Sequence, residues 1–159
     1  LNGREYRRLI EEIPNLVATK NTGGGLARAA DLMQHASALQ HFFGEGNYPH
    51  GCQYGECSLL ATVGPMTPHK AQAYFKAGVE KDWPTLFRLQ QEFHNLIVDV
   101  LLSLPLDRVD GAYDKVAARL GGLEDIPLRL LSPYQGFTEA EYQRSKEIFH
   151  RQYPDWVPH

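Results

Sequence analysis

Residues Ile13–Gly25 read IPNLVATKNTGGG, an apolar run that closes on a lysine and is followed at once by three glycines. Leu16, Val17 and Ala18 show no polar alternation before Lys20, the pattern of a short strand covered on both faces in a parallel sheet. Gly23–Gly25 then turn the chain into LARAADLMQHA, residues 26–36, which reads as a helix. A lysine at such a strand end has two readings. It is a solvated loop cation, as most lysines are, or it is an amine whose apolar neighbours lower its pKa enough to form a Schiff base with a ketone. A phosphate cradle is a poorer fit, because NTGGG is not G-x-G-x-x-G and the lysine precedes the glycines instead of following them.

Outward from this stretch the same unit recurs. REYRRLIEEI upstream spaces Tyr6, Leu9, Ile10 and Ile13 as one helical stripe that Pro14 ends. Downstream, ALQHFFGEG (38–46) reads as strand and loop, and CSLLATVG (57–64) as a strand. PHKAQAYFKAGVEKDW (68–83) reads as a helix, and residues 51–55 have no clear assignment. Strands alternating with helices at this spacing predict parallel crossovers. From Pro84 the pattern becomes helical throughout: Leu86, Leu89, Phe93, Leu96, Ile97, Val100 and Leu101 fall at helical spacing. GAYDKVAARLGG and TEAEYQRSKEIFHRQY add two more helices, the second opened by a Thr138–Glu141 capping box. The expected organisation is α/β: residues 1–83 carry three strand–helix units and residues 84–159 a helical extension of the same domain. Three parallel strands leave two unpaired edges, so the sheet reads as part of a larger one.

Composition narrows the function classes. The 159 residues are 43% hydrophobic and 22% charged with a formal net charge of -3, which gives no electrostatic reason to bind nucleic acid or an anionic membrane. Asp99 and Pro105 interrupt the longest apolar run, HNLIVDVLLSLPL, which falls short of the roughly 20 residues of a membrane span. Two cysteines and an N-terminus without a signal-peptide layout predict an intracellular, cytoplasmic chain. The chain does not begin with methionine and reads as a fragment or a processed product. HGCQYGEC (50–57) lacks C-x-x-C spacing, so buried thiols are expected and no metal.

Taken together, IPNLVATKNTGGG, FFGEG, GECSLLATVG, KAQAYFKAGVEKDWPTLFRLQQEF and IPLRLLSPY, in this order and spacing, resemble the dihydrodipicolinate synthase and N-acetylneuraminate lyase superfamily of class I aldolases. The resemblance covers nearly the whole chain. It implies the last three strands of a (β/α)8 barrel with a helical appendage, and it implies that Lys20 is the Schiff-base lysine. The first five strands, with a threonine-rich carboxylate-binding motif and a proton-shuttling tyrosine, are not in this sequence. The implied reaction makes or breaks a carbon–carbon bond between pyruvate, or a related 2-oxo acid, and an aldehyde. No cofactor is implied, and a homotetramer is. A dehydratase or hydratase-aldolase using the same iminium is the near alternative, and a truncated, non-catalytic barrel subunit the remote one.

The loop Gly44, Glu45, Gly46 and Asn47 is the implied substrate loop, although its acidic pattern matches neither sialic-acid cleavage nor dihydrodipicolinate synthesis. Glu45 either binds a hydroxyl or moves a proton, or caps the helix that follows. Ala61 and Thr62 are the implied small residues at the last strand end, and they leave room for the iminium or simply pack. Tyr48, His50 and Tyr54 either line an entrance for an aromatic aldehyde or bury against neighbours.

Overall fold

A computed structural model describes residues 1–158. Its elements run α1 (Gly3–Glu12), β1 (Ala18–Asn21), α2 (Gly25–His35), β2 (Gln40–Phe43), α3 (Tyr48–Tyr54), β3 (Ser58–Leu59), α4 (Pro68–Val79), α5 (Trp83–Leu96), α6 (Asp110–Leu120) and α7 (Glu139–Gln152). The three strands form one parallel sheet in the order β1-β2-β3. The fold is therefore α/β with sequential strand–helix units, as the alternating pattern predicts.

Two compact units interleave along the chain, the first made of residues 1–61 and 73–90, the second of residues 62–72 and 91–159. Helices α4 and α5 each contribute to both.

In the first unit, α1 opens with a capping box in which Asn2 accepts from the Glu5 amide and Glu5 from the Asn2 amide. The Gly3 amide donates to Asp31 at 2.7 Å, which ties α1 to α2. The core gathers Ala29, Leu32, Phe43, Tyr48, Tyr74 and Leu86, all without solvent exposure. Burying a side chain such as Leu32 or Phe43 contributes about 1.5–3 kcal/mol. Residues 51–55, unassigned by pattern, lie largely in α3, whose Gly51 sits against Phe43. A Cβ there would come within 2.7 Å of the Phe43 ring and 2.8 Å of Cys57 Sγ, so this crossing needs glycine.

Three expectations are corrected. The run Asn15–Lys20 does not form a strand buried on both faces: β1 begins at Ala18, Val17 is 68% exposed, and Lys20 is exposed while its strand neighbours Thr19 and Asn21 are buried. The segment CSLLATVG pairs as a strand only at Ser58–Leu59, because after Leu60 the chain leaves the ladder and turns at Val63–Thr67. The helix expected over residues 68–83 stops at Val79, where Lys81 takes a left-handed conformation (φ 57°) and Asp82 restarts the chain by accepting from the Thr85 amide at 3.3 Å.

In the second unit, the helical stripe beyond Leu96 continues as a π-helical turn, Ile97–Leu101. The buried Ser145 hydroxyl of α7 donates to the Val100 carbonyl at 2.9 Å, within that turn. The Thr138–Glu141 capping box opens α7 as expected. Phe93 meets Trp156 edge-on at 5.1 Å, and the Arg119 guanidinium lies 4.1 Å over the Tyr142 ring while bonding Glu139 at 2.8 Å. Among the described residues no helix is long and apolar enough to cross a membrane.

Candidate active site

Strand alternation sorts β1 into two faces. Thr19 and Asn21 are buried at 7% and 6% exposure on the helix side, and Lys20 is exposed on the other. The register places Ala18 opposite Gln40, Thr19 opposite His41, Lys20 opposite Phe42 and Asn21 opposite Phe43; Phe42 in turn pairs with Ser58. The face opposite the helices therefore carries Ala18, Lys20, Gln40, Phe42 and Ser58, exposed or half-buried. Gln40 donates across it to the Ser58 hydroxyl at 3.1 Å. Lys20 thus projects from the carboxyl end of its strand, on the face away from the helices and beside a half-buried aromatic ring.

The loop after β2 is held from several sides. The Gly44 amide donates to the Asn21 carbonyl at 3.0 Å, and the Gly44 carbonyl accepts from the Asn47 and Tyr48 amides. The Asn47 side chain donates to the Gly23 carbonyl at 3.1 Å, joining this loop to the glycines beyond Lys20. The Tyr74 hydroxyl donates to the Glu45 carbonyl at 2.6 Å and Gln90 to the Gly46 carbonyl at 2.7 Å. Glu45 and Asn47 are each 8% exposed. Gly44–Asn47 are therefore brought to the carboxyl end of β1, the same end as Lys20. Ala61, half-buried, follows β3 in the first unit, whereas Thr62 is exposed and opens the second.

Tyr48, His50 and Tyr54 do not share one surface. Tyr48 is fully buried, its ring edge-on to Tyr74 at 5.4 Å and its hydroxyl donating to the Phe75 carbonyl at 2.8 Å; Tyr54 is exposed, and His50 lies half-buried near Phe87. Cys52 and Cys57 are buried free thiols with sulfurs 3.8 Å apart. The hydrogen bond to Cys57 draws the Cys52 thiol below its ordinary pKa, while that same bond and burial push Cys57 up.

Pattern reading missed a polar chain under the sheet. The Nε2 of fully buried His41 lies 2.9 Å from the Ala36 carbonyl, which requires the proton on Nε2. Nδ1 is then the acceptor for the Thr19 hydroxyl at 2.7 Å, and that oxygen in turn accepts from Asn21 Nδ2 at 2.6 Å. Burial lowers the His41 pKa, and the nearby Arg28 pushes the same way, which keeps the ring neutral. The signal was present in the sequence: Thr19, Asn21 and His41 are polar residues at period two in strands whose helix-facing positions are ordinarily apolar.

No family model matches the chain. It is 24% identical over 133 residues to 4-hydroxy-tetrahydrodipicolinate synthase of Helicobacter pylori strain P12, a match that covers 79% of this chain and 42% of that protein. Among solved structures it is similar to dihydrodipicolinate synthase from Bacteroides thetaiotaomicron, with TM-score 0.74, 15% identity, and 91% of this chain on 49% of that one. N-acetylneuraminate lyase from Mycoplasma synoviae aligns with TM-score 0.72, 18% identity, and 97% of this chain on 50% of that one. A prophage protein of E. coli K12 belonging to the dihydrodipicolinic acid synthase family, solved in complex with pyruvate, aligns with TM-score 0.73, 14% identity, and 95% of this chain on 51% of that one. The resemblance read from the motifs is thus borne out by both sequence and fold. The chain spans about 42% of the length of the curated relative it matches.

Proposed function

We propose that this chain is the carboxyl-terminal portion of a (β/α)8 barrel lyase, with Lys20 as the residue that forms a Schiff base with pyruvate or a related 2-oxo acid. Residues 1–83 carry its last strand–helix units and residues 84–159 its helical extension. The observation that carries the reading is the position of Lys20 at the carboxyl end of β1, on the sheet face away from the helices. In a closed barrel that face is the interior, and reactive groups sit at that end.

The chemistry follows from the amine. Neutral Lys20 Nζ adds to the 2-oxo carbon, the carbinolamine loses one water, and the resulting iminium withdraws electrons from the adjacent carbon. A carbon–carbon bond at that carbon then breaks, with release of an aldehyde, or forms in the reverse direction. Lys20 is exposed within this chain. In a complete barrel the remaining strands would close over this face and shield the amine from water. In this reading Gly44–Asn47 and Ala61, in the same unit as Lys20, border the space in front of the lysine. Glu45 and Asn47 are already held by the loop, whose backbone approaches β1 through Gly44.

Replacing Lys20 by Arg keeps the charge and removes the ability to form an imine. In the complete protein, Lys20→Arg is expected to abolish 2-oxo-acid-dependent turnover while leaving the thermal midpoint near that of the parent. Turnover retained at the parent rate would contradict the assignment.

A further inference from the structure

We infer that Thr19, Asn21 and His41 form a register lock: they hold β1 against β2 in the one pairing that puts Lys20 on the open face of the sheet. The inference rests on the proposed role of Lys20 for its functional meaning, and on the hydrogen bonds alone for its structural content.

Register in a sheet is ordinarily set by the apolar pattern, because a slip of one residue moves every side chain to the opposite face. That safeguard is weak here. Strand β1 reads Ala-Thr-Lys-Asn, and its two helix-side positions are polar, so no apolar pattern fixes its pairing with β2. A slip by one would send Lys20 beneath the sheet and bring Thr19 and Asn21 to the open face. What opposes the slip is a specific polar tie between directly paired residues. The Thr19 hydroxyl meets His41 Nδ1 at 2.7 Å, Asn21 bonds the same hydroxyl at 2.6 Å, and the far side of the ring is anchored on the Ala36 carbonyl at 2.9 Å.

The chain of donors runs one way, from Asn21 through Thr19 to His41 and on to Ala36, so each link fixes the orientation of the next. All three residues are buried, His41 completely. Apolar residues at these positions would pack the same layer without desolvating polar groups. Polar side chains in such places are best accounted for as devices of registry. Thr19 and Asn21 flank Lys20 on either side. The two residues that set the register are thus the two that determine where the lysine points, which makes them, with His41, positioning residues that act through Lys20.

The test uses the complete protein and three variants. Thr19→Val removes the hydroxyl at nearly constant volume, Thr19→Ser keeps it, and Asn21→Ala removes the outer link if Thr19→Val does not fold. Two readouts are taken per folded molecule: the rate of borohydride-trapped pyruvate on the Lys20 peptide, and the labelling of Lys20 by a small amine-acylating reagent. Thr19→Val is expected to slow trapping by about tenfold to a hundredfold, the scale of a reacting group misplaced by an ångström. Lys20 labelling should fall with it, and Thr19→Ser should restore both. A loss of thermal stability with trapping and labelling unchanged per folded molecule would overturn the lock and leave a purely structural role. If the parent protein traps no 2-oxo acid at Lys20, the proposed function fails, and the lock is then decided by labelling alone: reduced labelling in Thr19→Val upholds it and parent-like labelling rejects it.

Discussion

At the scale of single residues, a short stretch of backbone gives Lys20 and His41 opposite environments. Lys20 stands in the open on one face of the sheet, and His41 is sealed beneath the other with its ring neutral and both nitrogens engaged. The depressed pKa of His41 has a definite consequence for stability. Below its ordinary value of 6.5 the imidazole of the unfolded chain takes up a proton that the folded one resists. Stability from this residue is therefore complete above that pH and declines as pH falls toward the lowered folded-state value. Thermal midpoints of the parent and of His41→Asn, measured between neutral and mildly acid pH, should converge as the pH drops. A constant gap between the two would contradict a buried neutral histidine.

At the scale of elements, the alternation of strands with helices announced three parallel strands joined by helical crossovers, and Thr138 with Glu141 announced the start of α7. The cap contributes through two otherwise unpaired amides, so Thr138→Ala should destabilise by about 0.5–2 kcal/mol, read by chemical denaturation. A change within error of zero would mean the first turn of α7 is held by packing instead. Helix α3 was illegible because its seven residues include Pro49 and Gly51, which pattern reading takes as breakers. Gly51 is there for close approach, and Gly51→Ala forces a methyl into Phe43 and Cys57. The expected cost is about 1–3 kcal/mol, measured the same way, and an unchanged midpoint would show that the neighbours give way. The polar chain was missed for a related reason. Thr19, Asn21 and His41 make no local pattern in the sequence, and only the pairing of Thr19 with His41 shows that they complete one another. Val17 and the early part of the run failed as buried strand because the ladder begins only at Ala18, which leaves Val17 68% exposed.

At the scale of the whole molecule, the open face is the feature that organises the rest. A sheet three strands wide, with helices on one side and Ala18, Lys20, Gln40, Phe42 and Ser58 on the other, matches about half of each solved structure it resembles. The motifs around Lys20 made the fold and the candidate lysine legible, since their order and spacing survive at low identity. On the proposed reading the groups that bind the 2-oxo acid carboxylate and shuttle protons belong to the preceding strands of the barrel, so no pattern in these 159 residues announces them. Whether Lys20 is a covalent centre is read by incubating the complete protein with pyruvate and borohydride and mapping the product by peptide mass spectrometry. A stable reduced adduct on the peptide containing Lys20, lost in Lys20→Arg, is the predicted result. Unmodified Lys20 across a panel of 2-oxo acids, in a folded and complete protein, would contradict it.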